Sequence, residues 1–180
     1  MTRLTILEYP DPRLRIRALP VSDFDADLGR LIDDMLETLH ASRAIGLAAT
    51  QVDVHRQIVA IDVSHGGDAP QVFINPQTLT GSAVGLVEES CLSLPGIVDN
   101  VKRPTRIRVG FHDRTGAPQV RDLEGLPAVC LQHEMDHLRG ILFVDRLPLI
   151  SRLRIRGRLR KRRQETSDRA GNRTASQARP

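Results

Sequence analysis

The chain has 180 residues, 40% of them hydrophobic and only 3% aromatic, with 26 Lys and Arg against 22 Asp and Glu. That length supports one domain with a core of Leu, Ile, Val and Ala, and not comfortably two. Two cysteines, Cys91 and Cys130, argue against a disulfide framework and for a reducing compartment. No apolar run approaches the length of a membrane-spanning helix, and Met1–Pro10 lacks the character of a presequence, so a cytoplasmic soluble protein is expected. Charge is uneven along the chain. Residues 151–180 hold 11 of the Lys and Arg and 2 of the acids, a balance of +9 that leaves −5 for residues 1–150. A tail so basic suggests a nucleic-acid or acidic-surface partner for the tail alone.

In chain order, Leu4-Thr5-Ile6-Leu7 is a short apolar start, and Tyr9-Pro10-Asp11-Pro12 reads as a turn. Ser22-Asp23-Phe24-Asp25 can cap a helix, and Leu28, Leu31, Ile32, Met35, Leu36 and Leu39 carry helical period to about Ala41. The small residues of Ala44-Ile45-Gly46-Leu47-Ala48-Ala49-Thr50-Gln51 allow close backbone approach, either to a strand or to a ligand. Ile58–Val63 and Val72–Asn75 read as strands joined through the turn-rich Ser64–Pro70. Further strands are expected near 83–88, 105–112 and 119–123, with Asp113-Arg114-Thr115-Gly116 turning between the last two. Strands arranged as hairpins before a helix favour an α+β fold with antiparallel sheets over a parallel doubly wound one.

The next helix runs from Leu126 to about Arg139, with Pro127 suited to its first turn and Gly140 to the position just past its end. Leu126, Val129, Cys130, His133 and His137 form one stripe on it, so both histidines point inward. Its sequence Gln132-His133-Glu134-Met135-Asp136-His137-Leu138-Arg139-Gly140 contains H-E-x-x-H. Histidines four apart share a helix face and can hold one metal ion, with Glu134 beside them where a general base for a bound water must sit. The competing reading is a surface helix with incidental histidines; two dry imidazoles without partners would cost roughly 1–3 kcal/mol each. From Ser151 the residues Arg152, Leu153, Ile155, Leu159 and Arg160-Lys161-Arg162-Arg163 suit a basic helix with a thin apolar stripe, followed beyond about Thr166 by a polar, disordered terminus.

A catalytic site of this kind takes a third protein ligand and leaves a position for water. Cys91, in Glu88-Glu89-Ser90-Cys91-Leu92-Ser93-Leu94-Pro95-Gly96, is the leading candidate because a strand-to-loop junction can approach a helix. Cys130 is the competitor, but its place in the apolar stripe suits buried filling. His40, His55, His65 and His112 fall in helix-end, loop or strand-end contexts that suit solvated side chains.

Three segments, A-I-G-L-A-A-T-Q (44–51), E-S-C-L-S-L-P (89–95) and Q-H-E-M-D-H-L-R-G (132–140), resemble in order and spacing the three signature motifs of the peptide deformylases. The match covers about residues 1–150, and the basic tail is similar to that of the family's bacterial form. The resemblance implies a catalytic domain over 1–150 and a basic helix and tail over 151–180. The implied fold has antiparallel sheets around a central metal-binding helix, with an N-terminal core helix and a C-terminal helix. The implied activity is removal of the formyl group from N-formylmethionyl nascent chains, releasing formate. Cys91, His133 and His137 are the implied ligands of Fe(II), for which Zn, Ni or Co can substitute. Glu134 is the implied acid/base, activating a metal-bound water, and Gln51 with the backbone N–H of Leu92 the oxyanion hole. Implied substrate contacts are Ile45, Gly46, Val87, Glu89, Ser90, Leu126, Val129, Cys130 and His133, most of them lining an apolar pocket for the methionine side chain. Glu89 and Arg103 are expected to pair beside the site, against the alternative of a surface pair worth little.

Two positions depart from the family's pattern: Ala44 and Ser90 stand where glycine is usual. A glycine at 90 with positive φ would make serine cost about 1 kcal/mol. An H-E-x-x-H peptidase would place a third His or Glu after the motif, and no His follows His137. A binding protein that kept only the fold would not need metal, base and oxyanion residues together. The basic tail is read either as a solvated face or as a docking element for ribosomal RNA and protein near the exit tunnel, with no role for DNA or a membrane.

Overall fold

Ile58-Val59-Ala60-Ile61 is buried on both sides, and its period-two alternation sorts its side chains between two helices. The computed structural model describes residues 2–64 and 66–159. They fall into two units, Met1–Phe143 and Val144–Pro180. In the first unit the order is α1 (Ala26–Ala41), β1 (Gly46–Ala48), β2 (Ile58–Ile61), β3 (Gln71–Ser90), β4 (Val98–His112), β5 (Pro118–Glu124) and α2 (Leu126–His137). The strands form one antiparallel sheet in the order β1-β2-β3-β4-β5, so the expected antiparallel sheets are a single sheet. Val59 and Ile61 join Phe73, Ile107, Val109, Phe111 and Leu123 under α2. Ile58 and Ala60 join Leu47 and Ile74 under α1.

Helix α1 forms where the sequence indicates. Asp25 accepts the Leu28 N–H at 2.8 Å as its N-cap. Leu28, Ile32, Met35 and Leu39 are at most 1% exposed, and burying each contributes roughly 1.5–3 kcal/mol. The N-terminal segment makes no strand of its own. Instead its backbone ties two later loops together: Leu7 N–H bonds to Gln51 O at 2.7 Å and Tyr9 N–H to Ser93 O at 2.8 Å.

Strand β3 corrects the sequence reading. The expected strands 72–75 and 83–88 are two parts of one 20-residue strand. It pairs with β2 over 71–74 and with β4 from Ile74 to Ser90. Register shifts between Ile74 and Gln77 and between Thr78 and Thr80 accommodate Asn75, whose φ is 52°, and Pro76. Residues 77–84 are exposed on both faces, so no hydrophobic alternation marks them. Strand β4 likewise starts at Val98 rather than near 105. The turn to β5 is as expected: Asp113 accepts from Thr115 N and Oγ1 and from Ala117 N, and Gly116 has a φ of 86°.

Helix α2 follows Gly125, carries Pro127 in its first turn and ends at His137, two residues before the expected Arg139. Gly140, at φ 71°, passes so close to the Arg15 carbonyl that an added Cβ would collide with it. The expected single inward stripe is too narrow. Nine of the helix's residues are buried, Ala128–Leu131 and His133–His137, whereas Leu126, its first, is 51% exposed. Such all-round burial marks a central helix.

In the second unit the backbone is helical over 149–159, agreeing with the start of the expected basic helix. Arg160, Lys161, Arg162, Arg163, the segment beyond Thr166, and His65 lie outside the described residues. Among the described residues no helix is long and apolar enough to cross a membrane.

Candidate metal centre

The three expected ligands converge. One donor atom each from Cys91, His133 and His137 lies within 4.8 Å of the others, and all three residues are buried. Cys91 Sγ is 3.2 Å from His137 Nε2. The two imidazoles, one helical turn apart, meet edge-on with centroids 5.1 Å apart. Cys91 reaches them because β3 ends at Ser90 and the chain turns at once, Leu94 N–H bonding back to Cys91 O at 3.0 Å. His40, His55 and His112 are elsewhere. His40 bonds Asp62, His55 the Arg13 carbonyl, and the His112 ring packs at a tilt against Phe24.

The donor chemistry fits one divalent cation. Donors about 2.0–2.3 Å from a tetrahedral ion lie roughly 3.5 Å apart, close to the sulfur–nitrogen separation here, and three protein donors leave a fourth position open. His133 Nδ1 is committed to Glu89 Oε2 at 2.7 Å. That leaves Nε2 as its donor.

Glu89 belongs to a buried ionic chain. Arg103 forks onto it, Nε to Oε1 at 2.6 Å and Nη2 to Oε2 at 2.9 Å, and its Nη1 reaches Asp136 Oδ2 at 2.6 Å. Glu89, Arg103 and Asp136 are 5%, 2% and 2% exposed, so the alternative of a surface pair is wrong. Deleting one member of such a set costs roughly 3–5 kcal/mol, because an uncompensated buried charge remains. Burial alone would raise the Glu89 carboxyl, but its bonds from Arg103 and His133 outweigh that and hold it at about 2. Burial opposes the charged form of His133, yet bonds from Cys91 and Glu89 raise its pKa well above the ordinary value. Burial, then the neighbouring charge of His133, push His137 well below its own.

Glu134 stands apart from that chain. It is 4% exposed, and its Oε2 has no partner. Burial pushes its carboxyl up to about 7, against the opposing pull of His133. Its Oε1 lies against Gly46, where an added Cβ would collide with it and come within 2.7 Å of Cys130 Sγ. Gln51 is 1% exposed. Its Oε1 takes the Ala48 N–H at 2.8 Å, which turns Nε2 toward Ser93 Oγ at 3.2 Å and Cys91 Sγ at 3.7 Å. Leu92, next to Cys91, is partly buried against the α1 core.

The expected pocket residues divide by exposure. Val129 and Cys130 are buried, Val87 is half-buried, and Ile45 and Leu126 are exposed. Cys130 Sγ donates to Ile45 O at 3.3 Å, which fixes this corner. Ser90 is exposed and pairs with Val98 in regular β structure. It is absent from the residues with positive φ, so the expected backbone strain does not arise. Ala44 packs against the α1 core. Sequence reasoning missed Asp136 and Ser93. The first sits inside the motif and could have been suspected from its charge on a buried helix; the second gave no signal.

A sulfur and two imidazoles held over an antiparallel sheet, beside a dry carboxylate, define a candidate metallohydrolase of α+β class. Residues 3–153 match the polypeptide deformylase family. The chain is 52% identical over 163 residues to the peptide deformylase of Hahella chejuensis, covering 89% of this chain and 96% of that one. With the Chromobacterium violaceum enzyme it shares 48% over 165 residues, 92% and 99% of the two chains. The crystal structure of a peptide deformylase from Legionella pneumophila superposes with a TM-score of 0.85 at 41% identity, covering 93% and 98%. That of Ehrlichia chaffeensis in complex with actinonin gives 0.84 at 36%, covering 90% and 98%. This chain belongs to the polypeptide deformylase family, metal-dependent hydrolases that remove N-formyl groups from nascent peptides.

Proposed function

We propose that residues 1–150 bind one Fe(II) through Cys91, His133 and His137 and hydrolyse the formyl group of N-formylmethionyl chains, releasing formate. The observation that carries this reading is the convergence of one sulfur and two imidazoles beside the buried Glu134 carboxylate, whose Oε2 has no hydrogen-bond partner. The bound cation supplies Lewis acidity and brings the pKa of water toward neutrality. Zn, Ni or Co suits the same donors. The protein supplies the rest. Glu134, with its carboxyl at about 7, takes a proton from the attacking water and returns it to the leaving nitrogen as the formyl C–N bond breaks. Gln51 Nε2 and the Leu92 N–H donate to the oxygen that gains charge on the formyl carbon. Val129, Cys130, Val87 and His133 line the inner pocket for the methionine side chain, with Ile45 and Leu126 at its mouth, and a flexible thioether suits such a surface. Gly46, Glu89 and Ser90 border the groove in which the peptide backbone lies.

The test uses formyl-Met-Ala-Ser. The metal-loaded parent is expected to release formate, and Glu134→Gln to keep its metal while losing roughly 10²–10⁴ in turnover. A metal-loaded Glu134→Gln of undiminished turnover overturns the role given to Glu134.

A further inference from the structure

We infer that Asp136 is a positioning residue for the metal ligand His133, acting through Arg103 and Glu89; the inference rests on the metal-binding reading above and deepens it. The observation is a closed circuit of short bonds. His133 Nδ1 meets Glu89 Oε2 at 2.7 Å, Glu89 takes the fork of Arg103, and Arg103 Nη1 meets Asp136 Oδ2 at 2.6 Å. Both ends lie on α2, three residues apart, and the two bridging residues come from β3 and β4. The helix that presents the ligand therefore also anchors the far end of the chain that orients it.

Each link constrains the next. The guanidinium is planar, so its three engaged nitrogens fix the two carboxylates in one arrangement. Glu89 ionised can only accept, so Nδ1 of His133 carries the proton and Nε2 keeps its lone pair for a cation. Without the Asp136 carboxylate, Nη1 loses its acceptor in a buried site. The guanidinium then turns, and Glu89 and the His133 ring lose their fixed geometry. Asp136→Asn removes the charge with little change of shape, and Glu89→Gln cuts the route between Asp136 and the ring.

The experiment measures Co(II) affinity of the metal-free full chain by competition with a chromophoric chelator, for the parent, Asp136→Asn, Asp136→Glu, Glu89→Gln and the Asp136→Asn/Glu89→Gln double variant. Thermal unfolding of each metal-free protein reports its fold. Asp136→Asn is expected to weaken Co(II) binding about tenfold and Asp136→Glu by less than about threefold, with a changed visible Co(II) spectrum only for Asn. In the Glu89→Gln background the Asn substitution is expected to change affinity by less than about twofold, because its route to the ring is already cut. An equal loss in both backgrounds, or none in either, overturns the inference. Should Asp136→Asn not fold, the comparison of Asp136→Glu in the two backgrounds decides in the same way. Formate release on the parent separates the two claims: Co(II) binding without formate release contradicts the deformylase reading and leaves the coupling result standing.

Discussion

Gly46 and Glu134 touch across β1 and α2 so closely that no side chain can be added at 46 without displacing the Glu134 carboxylate. The glycine is required by this approach rather than by its φ, which is not in the positive region. The carboxylate is thereby walled on one side by backbone.

Gly46→Ala is therefore expected to leave metal content unchanged while lowering kcat about a hundredfold, the scale associated with misplacing a catalytic group by an ångström. Steady-state formate release together with metal analysis checks this. Unchanged kcat would show that Glu134 moves aside without consequence.

The Asp113 turn predicts a pH effect on stability. Its carboxylate accepts from Thr115, Gln119 and Ala117, and the side-chain bond from Thr115, followed by that from Gln119, lowers its pKa to about 2. A folded-state pKa below the unfolded value means the stabilisation is fully present above about pH 4. It is lost as pH falls through 2. Asp113→Ala should lower Tm at pH 7, and the difference from the parent should shrink as the pH approaches 2. A difference that stays constant with pH would assign the effect to something other than the carboxylate's charge.

The basic tail makes a separate prediction. Polyphosphate contacts release counterions and weaken steeply with salt. On the reading of the tail as a docking element rather than a solvated face, removing residues 151–180 abolishes salt-sensitive binding to ribosomes in sedimentation assays while formyl-Met-Ala-Ser hydrolysis persists. Undiminished binding by the truncated chain refutes a docking role for the tail.

Much of this architecture was legible because local and global signals agreed. Leu28, Ile32, Met35 and Leu39, behind the Asp25 cap, mark α1 at helical period, and Pro127 and Gly140 bracket α2 within three residues. The proposed ligands stand out in the sequence because H-E-x-x-H puts two histidines on one face of a helix, and because the segment around Cys91 resembles a family motif. What stayed hidden depended on the third dimension. The middle of β3 has no buried face, so its continuity comes from backbone pairing with β4 alone. The start of β4 alternates Val101 and Arg103 inward with Asn100 and Lys102 outward, and an inward arginine disguises the pattern. The burial of Glu89 and Arg103 could not be read because the second acid on Arg103, Asp136, lies 33 residues beyond it and meets it only when α2 packs on the sheet. Leu126 misled for the opposite reason: an apolar residue at the right helical spacing sits where the helix emerges.

The account stands on one sulfur and two imidazole nitrogens sharing a cation, and metal-edge X-ray absorption of anaerobically purified protein examines that directly. For a zinc-loaded sample the expected result is one metal per chain with one sulfur scatterer at about 2.3 Å and nitrogen or oxygen neighbours at about 2.0–2.1 Å; the sulfur shell should vanish in Cys91→Ala and persist in Cys130→Ala. A metal shell without sulfur in the parent, or one unchanged by the loss of Cys91, contradicts the site.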